Sequence, residues 1–148
     1  MLHYIIDGNN LIGKIPSLKN LSDKQIAREK LALLLEKHFY GRKVKVSLHF
    51  DGFENIPIKI SGMKIHYSHN RSADEMIKSE IEKIKNTKSV IAVSSDTEVA
   101  SFAKVCGCQI KSSENFYKDL VASNKKSSEN EKPTNFDTEE FKKLFGIE

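Results

Sequence analysis

Apolar residues along this chain recur with two different periods. Residues 3–6, His3-Tyr4-Ile5-Ile6, predict a short apolar strand that stops at Asp7, followed by Gly8, Asn9 and Asn10, residue types that accept the backbone angles of a sharp turn. Val44, Val46, Leu48 and Phe50 alternate with Lys45, Ser47 and His49, the period of two expected of a strand, and this segment also ends on an acid, in Phe50-Asp51-Gly52. Residues 63–67 predict a short third strand. Residues 89–93 predict a fully apolar one, of the kind buried on both faces, which runs into Ser94-Ser95-Asp96. Cys108, Gln109 and Ile110 predict the last.

Between these segments the period lengthens to that of a helix. Leu11, Ile12 and Ile15 predict a short helix ended by Pro16. Ser22 with Gln25 reads as a capping box ahead of Ala27, Leu31, Leu34, Leu35 and His38, which repeat at helical spacing up to Gly41. Ser72 with Glu75 reads as another, opening a helix with Ala73, Ile77, Ile81 and Ile84 on its buried stripe. Val99, Phe102, Ala103 and Cys106 mark the next helix, capped either by Asp96 or by Ser95 with Glu98, and ended by Gly107. Residues 53–61, with Pro57, predict an irregular excursion, and residues 114–120 a further helix. Residues 123–135 are nearly all polar and predict a linker or mobile loop. Asp137 then caps a C-terminal helix, residues 137–146, whose Phe141, Leu144 and Phe145 predict docking on the domain.

Strands alternating with helices predict an α/β fold: a central, mainly parallel sheet flanked by helices in three layers. At 148 residues the chain is expected to form one domain, 1–148. Hydrophobic residues make up 39% and charged residues 30%, and no run approaches the roughly 18 apolar residues of a membrane helix, so no membrane partner is expected. The first residues carry neither a basic n-region nor an apolar h-region, which predicts a cytoplasmic protein. Cys106 and Cys108 fit neither a zinc pair nor an ordinary bridge and are expected as reduced thiols. The net charge of +4 is concentrated in Lys24, Arg28, Lys30, Lys37, Arg42, Lys43 and Lys45. Such a segment suits an anionic partner, nucleic acid first, and is equally what a solvated helix face looks like.

In a parallel sheet Asp7, Asp51 and Asp96 end strands, while Asp74 opens a helix that follows one, so all four fall at one edge. Asp74 lies about 60° around the helix from Ile77, on the flank of the apolar stripe. Each acid alone has an ordinary account, as a turn residue or a partner of a helix dipole. Together they would repel one another unless a cation neutralised them, and oxygen-only donors suit Mg²⁺ or Mn²⁺.

The segments Tyr4-Ile5-Ile6-Asp7-Gly8-Asn9-Asn10-Leu11-Ile12, Phe50-Asp51-Gly52, Ser72-Ala73-Asp74-Glu75-Met76-Ile77, Val93-Ser94-Ser95-Asp96 and Glu140-Phe141-Lys142-Lys143-Leu144-Phe145-Gly146 together resemble the YacP-like NYN domain family, in the PIN-like nuclease superfamily. The resemblance spans nearly the whole chain. It implies a PIN-like fold and a metal-dependent endoribonuclease that hydrolyses phosphodiester bonds of RNA, with mRNA in a ribosome-associated setting as substrate. It also implies Asp7, Asp74 and Asp96 as metal-binding acids, Asn10 as the group that orients a metal-bound water or a phosphate, and Ser95 as a partner of the neighbouring carboxylate. Asp51 is a further candidate acid, or the turn residue before Gly52. Glu75 stands where some relatives have a second Asp, and its capping role is the alternative. Asn9 stands where many relatives carry an aromatic residue.

For RNA contacts the residues offer Tyr67 as a stacking face and Arg71 and Lys14 as phosphate partners, with solvated loop charges as the alternative. His66 and His69 lack the further ligands of a zinc site. A catalytically inactive RNA-binding or ribosome-docking module on the same scaffold is the competing reading. A phosphoacceptor domain built on Asp51, Ser94 and Lys111 is the third, weakened because Gly8 interrupts the acid pair such domains carry.

Overall fold

A computed structural model of the chain describes residues 1–130, with side chains through residue 123. The elements run β1 (Leu2–Asp7), α1 (Gly8–Ile12), α2 (Pro16–Lys19), α3 (Lys24–Phe39), β2 (Val44–Phe50), β3 (Lys64–Tyr67), α4 (Ala73–Lys83), a 3-10 turn (Thr87–Ser89), β4 (Val90–Val93), α5 (Thr97–Val105), β5 (Gln109–Lys111) and α6 (Ser113–Asn130). All strand pairings among the described residues are parallel, in the order β3-β2-β1-β4-β5. The chain walks outward from β1 to β3 and then returns to the other side of β1. The strand order therefore reverses between β1 and β4, and a crevice opens outside their carboxyl ends.

Helices cover both faces of this sheet. On one, Tyr4, Ile6, Leu48, Phe50 and Val93 pack against Leu31, Leu34 and Leu35 of α3 and Phe116 and Leu120 of α6. On the other, Ile5, Val90 and Ala92 pack against Ile77 and Ile81 of α4 and Val99 and Ala103 of α5. The three-layer α/β expectation holds, and the sheet is wholly parallel where it is described. Cys106 and Cys108 are free thiols, the second buried. Among the described residues no helix is long and apolar enough to cross a membrane.

Local differences from the sequence expectations have identifiable causes. The cap of α3 is Asp23, whose Oδ1 accepts from the backbone N–H groups of Gln25 at 2.9 Å and Ile26 at 3.2 Å, and the helix begins one residue past Ser22's reach. Asp7 itself caps α1, so that helix begins at Gly8 instead of Leu11, and Pro16 starts α2 at its first position as well as ending what precedes it. α6 runs to Asn130, into the stretch 123–135 expected to be a linker or mobile loop. The remainder of that stretch and the expected helix 137–146 lie outside the described residues.

The polar residues of the β2 alternation, Ser47 and His49, are only 1% and 2% exposed, because α4 covers that face and lowers Glu80 onto them. Ser47 Oγ and His49 Nε2 both bond Glu80 there, so the alternation reports a polar interior layer.

Gly8 shows how tightly the first turn sits on the sheet. A Cβ at this position would stand 2.7 Å from the His49 carbonyl oxygen and 2.7 Å from the Phe50 ring. Gly8→Ala should therefore cost about 1–3 kcal/mol of stability through overpacking, read from urea denaturation curves. A variant as stable as the parent would show that β2 yields easily to α1.

Candidate active site at the carboxyl ends of the strands

Asp7 ends the central strand and is 4% exposed. Its Oδ1 accepts from the backbone N–H of Asn10 at 3.3 Å, and its Oδ2 from Ser94 Oγ at 3.0 Å. Ser94 Oγ in turn accepts from the backbone N–H of Asp96 at 3.0 Å, which ties the turn after β4 to the end of β1. Burial pushes the Asp7 carboxyl up from 3.8 to about 6. The Ser94 and Asn10 hydrogen bonds oppose the shift, and the charges of Asp74 and Asp51 add to it.

The other acids converge on the same crevice. Asp74, half-buried in the first turn of α4, is raised by burial and then by the charges of Asp96 and Asp51, with Lys78 opposing. Asp96 caps α5, its Oδ1 accepting from the backbone N–H groups of Glu98 at 2.8 Å and Val99 at 3.2 Å. Asp51 lies past the end of β2. Its Oδ1 accepts from the backbone N–H of Ala73 at 2.7 Å, and its own N–H donates to Asn9 Oδ1 at 2.8 Å, so it straps the start of α4 to α1. Electrostatic coupling links Asp7 to Asp74 and Asp51, and Asp74 to Asp96 and Asp51. Mutual repulsion among buried Asp7, half-buried Asp74 and Asp96 and exposed Asp51, which share one mouth and offer only oxygen donors, fits a hard dication.

Asn10 is fixed by what its side chain accepts. Its Oδ1 takes the backbone N–H of Ser95 at 2.8 Å and Ser113 Oγ at 2.6 Å, which joins the ends of β1, β4 and β5 and defines which end of the amide is oxygen. Ser95, expected beside a catalytic carboxylate, instead donates to Glu114, and its Oγ accepts from the backbone N–H of Ser113 at 2.9 Å. The hydroxyl on Asp7 is that of Ser94. Strand parity was the available signal: the register pairs Ile5 with Ala92 and Ile6 with Val93, and one more step along both strands sets Ser94 beside Asp7.

Several other expected residues are engaged elsewhere. Glu75 is exposed, held by Arg71 Nε at 3.3 Å and by its capping box with Ser72, and the Arg71 hydrogen bond keeps its carboxyl below the usual range. It points its charge at Arg71 and is not among the groups that raise Asp7. Arg71 spends its guanidinium on Glu75 and on Ser79 Oγ at 3.4 Å. Lys14 lies 3.7 Å from Glu114. Tyr67 is half-buried, its ring 5.9 Å from that of Phe50 and under the Arg28 guanidinium at 5.3 Å, so its face is already covered. Arg28, counted in the basic segment, is buried and donates to the carbonyls of Asp51 at 2.6 Å and Phe53 at 3.0 Å. The open aromatic pair near Asp51 is Phe53 with His69, ring centroids 5.2 Å apart. Of the phosphoacceptor set, Lys111 sits on the far edge strand, paired with Asp119 at 2.5 Å, and the strand order differs from the 2-1-3-4-5 order of flavodoxin-like domains.

A second donor group lies beside the acids toward the β3 edge, His49 being the register partner of Asp7. His49, His66 and Glu80 each offer an atom within 4.8 Å of the others and could hold a metal ion, which corrects the expectation that His66 lacks further ligands.

A five-stranded parallel sheet with carboxylates gathered at its switch point is the PIN-like nuclease architecture. The chain belongs to the YacP-like NYN domain family, whose family model matches residues 4–144. The crystal structure of a tryptophan-to-leucine mutant of Rae1 (YacP) from Bacillus subtilis superposes with a TM-score of 0.71 at 21% identity, covering 98% of this chain and 92% of that one. Another crystal structure of Rae1 (YacP) from Bacillus subtilis gives 0.69 at 22% identity, covering 87% and 79%. No curated protein matches. NYN domains are generally nucleases, the family implies RNA as substrate, and PIN-like nucleases use divalent metals.

The buried acid sets a pH signature. A carboxyl whose folded pKa exceeds its ordinary value holds its proton more tightly when folded, so stability is lost as pH rises from 3.8 through about 6. In chelator, Asp7→Asn should be more stable than the parent at pH 7 by on the order of 1–2 kcal/mol, and the difference should vanish near pH 3.5. Urea denaturation at both pH values reads this, and a variant less stable at pH 7 would mean that the charge of Asp7 is already compensated.

Proposed function

We propose that this chain is a metal-dependent endoribonuclease that hydrolyses phosphodiester bonds of RNA, acting in the cytoplasm on mRNA in a ribosome-associated setting. The observation that carries the reading is the gathering of Asp7, Asp51, Asp74 and Asp96 at one crevice, with Asp7 buried and raised to about 6. Family membership supports the reaction class, and the similarity to Rae1 (YacP) supports the fold.

Asp7, Asp74 and Asp96 would hold Mg²⁺ or Mn²⁺, oxygen donors being matched to these ions. Such an ion supplies a lowered pKa for bound water and neutralisation of charge on the phosphodiester. The remaining work belongs to this chain's side chains. Asp7 would have to give up its proton to hold a cation, so cation affinity would weaken as pH falls through about 6. Ser94 holds Asp7 Oδ2 and thereby its orientation. Asn10, its oxygen occupied by Ser95 and Ser113, turns its NH₂ to donate to a phosphate oxygen or the attacking water. Asp51 keeps the start of α4, and with it Asp74, against the crevice. Lys14 and Arg71 reach phosphates by exchanging Glu114 and Glu75 for the RNA backbone, and exposed Phe53 with His69 offers a stacking surface in place of Tyr67.

Incubating the protein with single-stranded and ribosome-bound RNA should give internal cleavage with Mg²⁺ or Mn²⁺ and none in chelator. Asp7→Asn should lower the rate at least 100-fold while leaving RNA affinity in chelator within about threefold. RNA bound without cleavage in either metal would establish the binding-module alternative.

A further inference from the structure

A layer of polar side chains is buried between the sheet and α4, starting beside Asp7 at its register partner His49. His3 on β1 and Ser47 and His49 on β2 are all buried, and Glu80 of α4 reaches them. Glu80 accepts from Ser47 Oγ at 2.6 Å and from His49 Nε2 at 2.6 Å, and its Oε2 lies 3.3 Å from His3 Nε2. His66 on β3 is the register partner of His49 and stacks on it, ring centroids 4.5 Å apart and planes 10° from parallel. Hydrogen bonding leaves this layer incomplete. His49 Nδ1 and His66 Nε2 are both buried without a partner, a condition that native interiors avoid.

We propose that His49, His66 and Glu80 ligate a zinc ion seated between α4 and the β3 edge of the sheet. One donor atom from each lies within 4.8 Å of the others. Ligand atoms around tetrahedral zinc stand roughly 3.3–3.5 Å apart, given bonds of about 2.0–2.1 Å. An ion that takes the place of the proton shared by His49 and Glu80 widens their 2.6 Å contact, and side-chain rotation brings the third donor in. Two imidazoles and a carboxylate select a borderline dication over magnesium, which distinguishes this site from the all-oxygen pocket beside it.

The protonation states suit a metal. Burial works against ionisation of Glu80, but hydrogen bonds from His3, His49 and Ser47 outweigh it and hold the carboxyl well below the usual carboxylate range. Burial, then the neighbouring His49, pushes His66 down and keeps its ring neutral. A carboxylate and a neutral imidazole, as at Glu80 and His66, are forms that bind a metal. Ser47, bonded to the Glu80 carboxylate, and His3, bonded to Ser47 and 3.3 Å from Glu80 Oε2, give the outer support that orients a metal ligand. His66 on the edge strand β3 and Glu80 on α4 are each half-buried, so the group lies near the rim of the sheet. The ion would pin α4 to β2 and β3, about a turn and a half along the helix from Asp74. This site stands whether or not the chain cleaves RNA.

The test uses untagged full-length protein, stripped with chelator, dialysed against Zn²⁺ and assayed for bound metal. The parent and Asp74→Asn should each retain about one zinc per chain, and both His66→Ala and His66→Gln should bind at least tenfold more weakly. Co²⁺ in place of zinc should give the intense visible bands of a tetrahedral site in the parent and lose them in both His66 variants. The parent's thermal midpoint should rise with Zn²⁺ and theirs should not. Equal zinc uptake by the His66 variants, no uptake by folded parent, or loss of zinc in Asp74→Asn with retention in His66→Ala would each overturn the proposal, the last by placing the ion among the acids.

Discussion

Burying Asp7 at the end of the central strand removes its solvation, and the surroundings restore only part of it. Ser94 and the Asn10 backbone each give one hydrogen bond, while Asp74 and Asp51 add repulsion. The carboxyl is left near the middle of the physiological range, poised between a proton and a stronger positive charge. The strand order favours this arrangement: its reversal between β1 and β4 opens the crevice, and the ends of β1, β2 and β4 and the start of α4 each bring an acid to it.

The hydrogen bonds around the acids follow a consistent division of labour. Asp96 caps α5, Asp51 takes the first N–H of α4, and Asp7 caps α1, so three carboxylates are oriented by helix N-termini. Favourable helix-end interactions partly offset the repulsion among them. Asn9 and Asn10 do the cross-linking, one to Asp51 and the other to Ser95 and Ser113, and so hold the ends of β1, β2, β4 and β5 in one constellation. Surface charge contributes less than composition suggests. Arg28 is interior, and Arg71 and Lys14 are paired with glutamates, so any phosphate must compete for them.

α4 connects two layers of chemistry. Its first turn supplies Asp74 to the crevice, and Glu80 further along anchors the buried histidines, with Ile77 and Ile81 packing into the apolar core beside them. A parallel sheet covered on both faces has no solvent side to receive polar residues. Ser47, His49 and Glu80 are therefore held through their bonds to one another, which also tie α4 to the sheet, while His49 Nδ1 and His66 Nε2 stay unpartnered.

Element order, the parallel sheet and the convergence of Asp7, Asp51, Asp74 and Asp96 were legible in the sequence, because hydrophobic period and turn residues are local and the right-handed crossover rule turns them into a topology. The lines of Val44 to Phe50 and of Ala73 to Ile81 needed nothing more. The partners of polar groups were not legible. Ser94 and Ser95 are adjacent and chemically alike, and only the register of β4 against β1 decides which one faces Asp7. His49 and Glu80 are far apart along the chain, and nothing local links them until α4 is laid across β2. Local pattern specifies which way the backbone runs. Hydrogen-bond pairing, burial of charge and the availability of Tyr67, Arg71 and Lys14 depend on what is packed against each group, and that is decided only when distant elements meet.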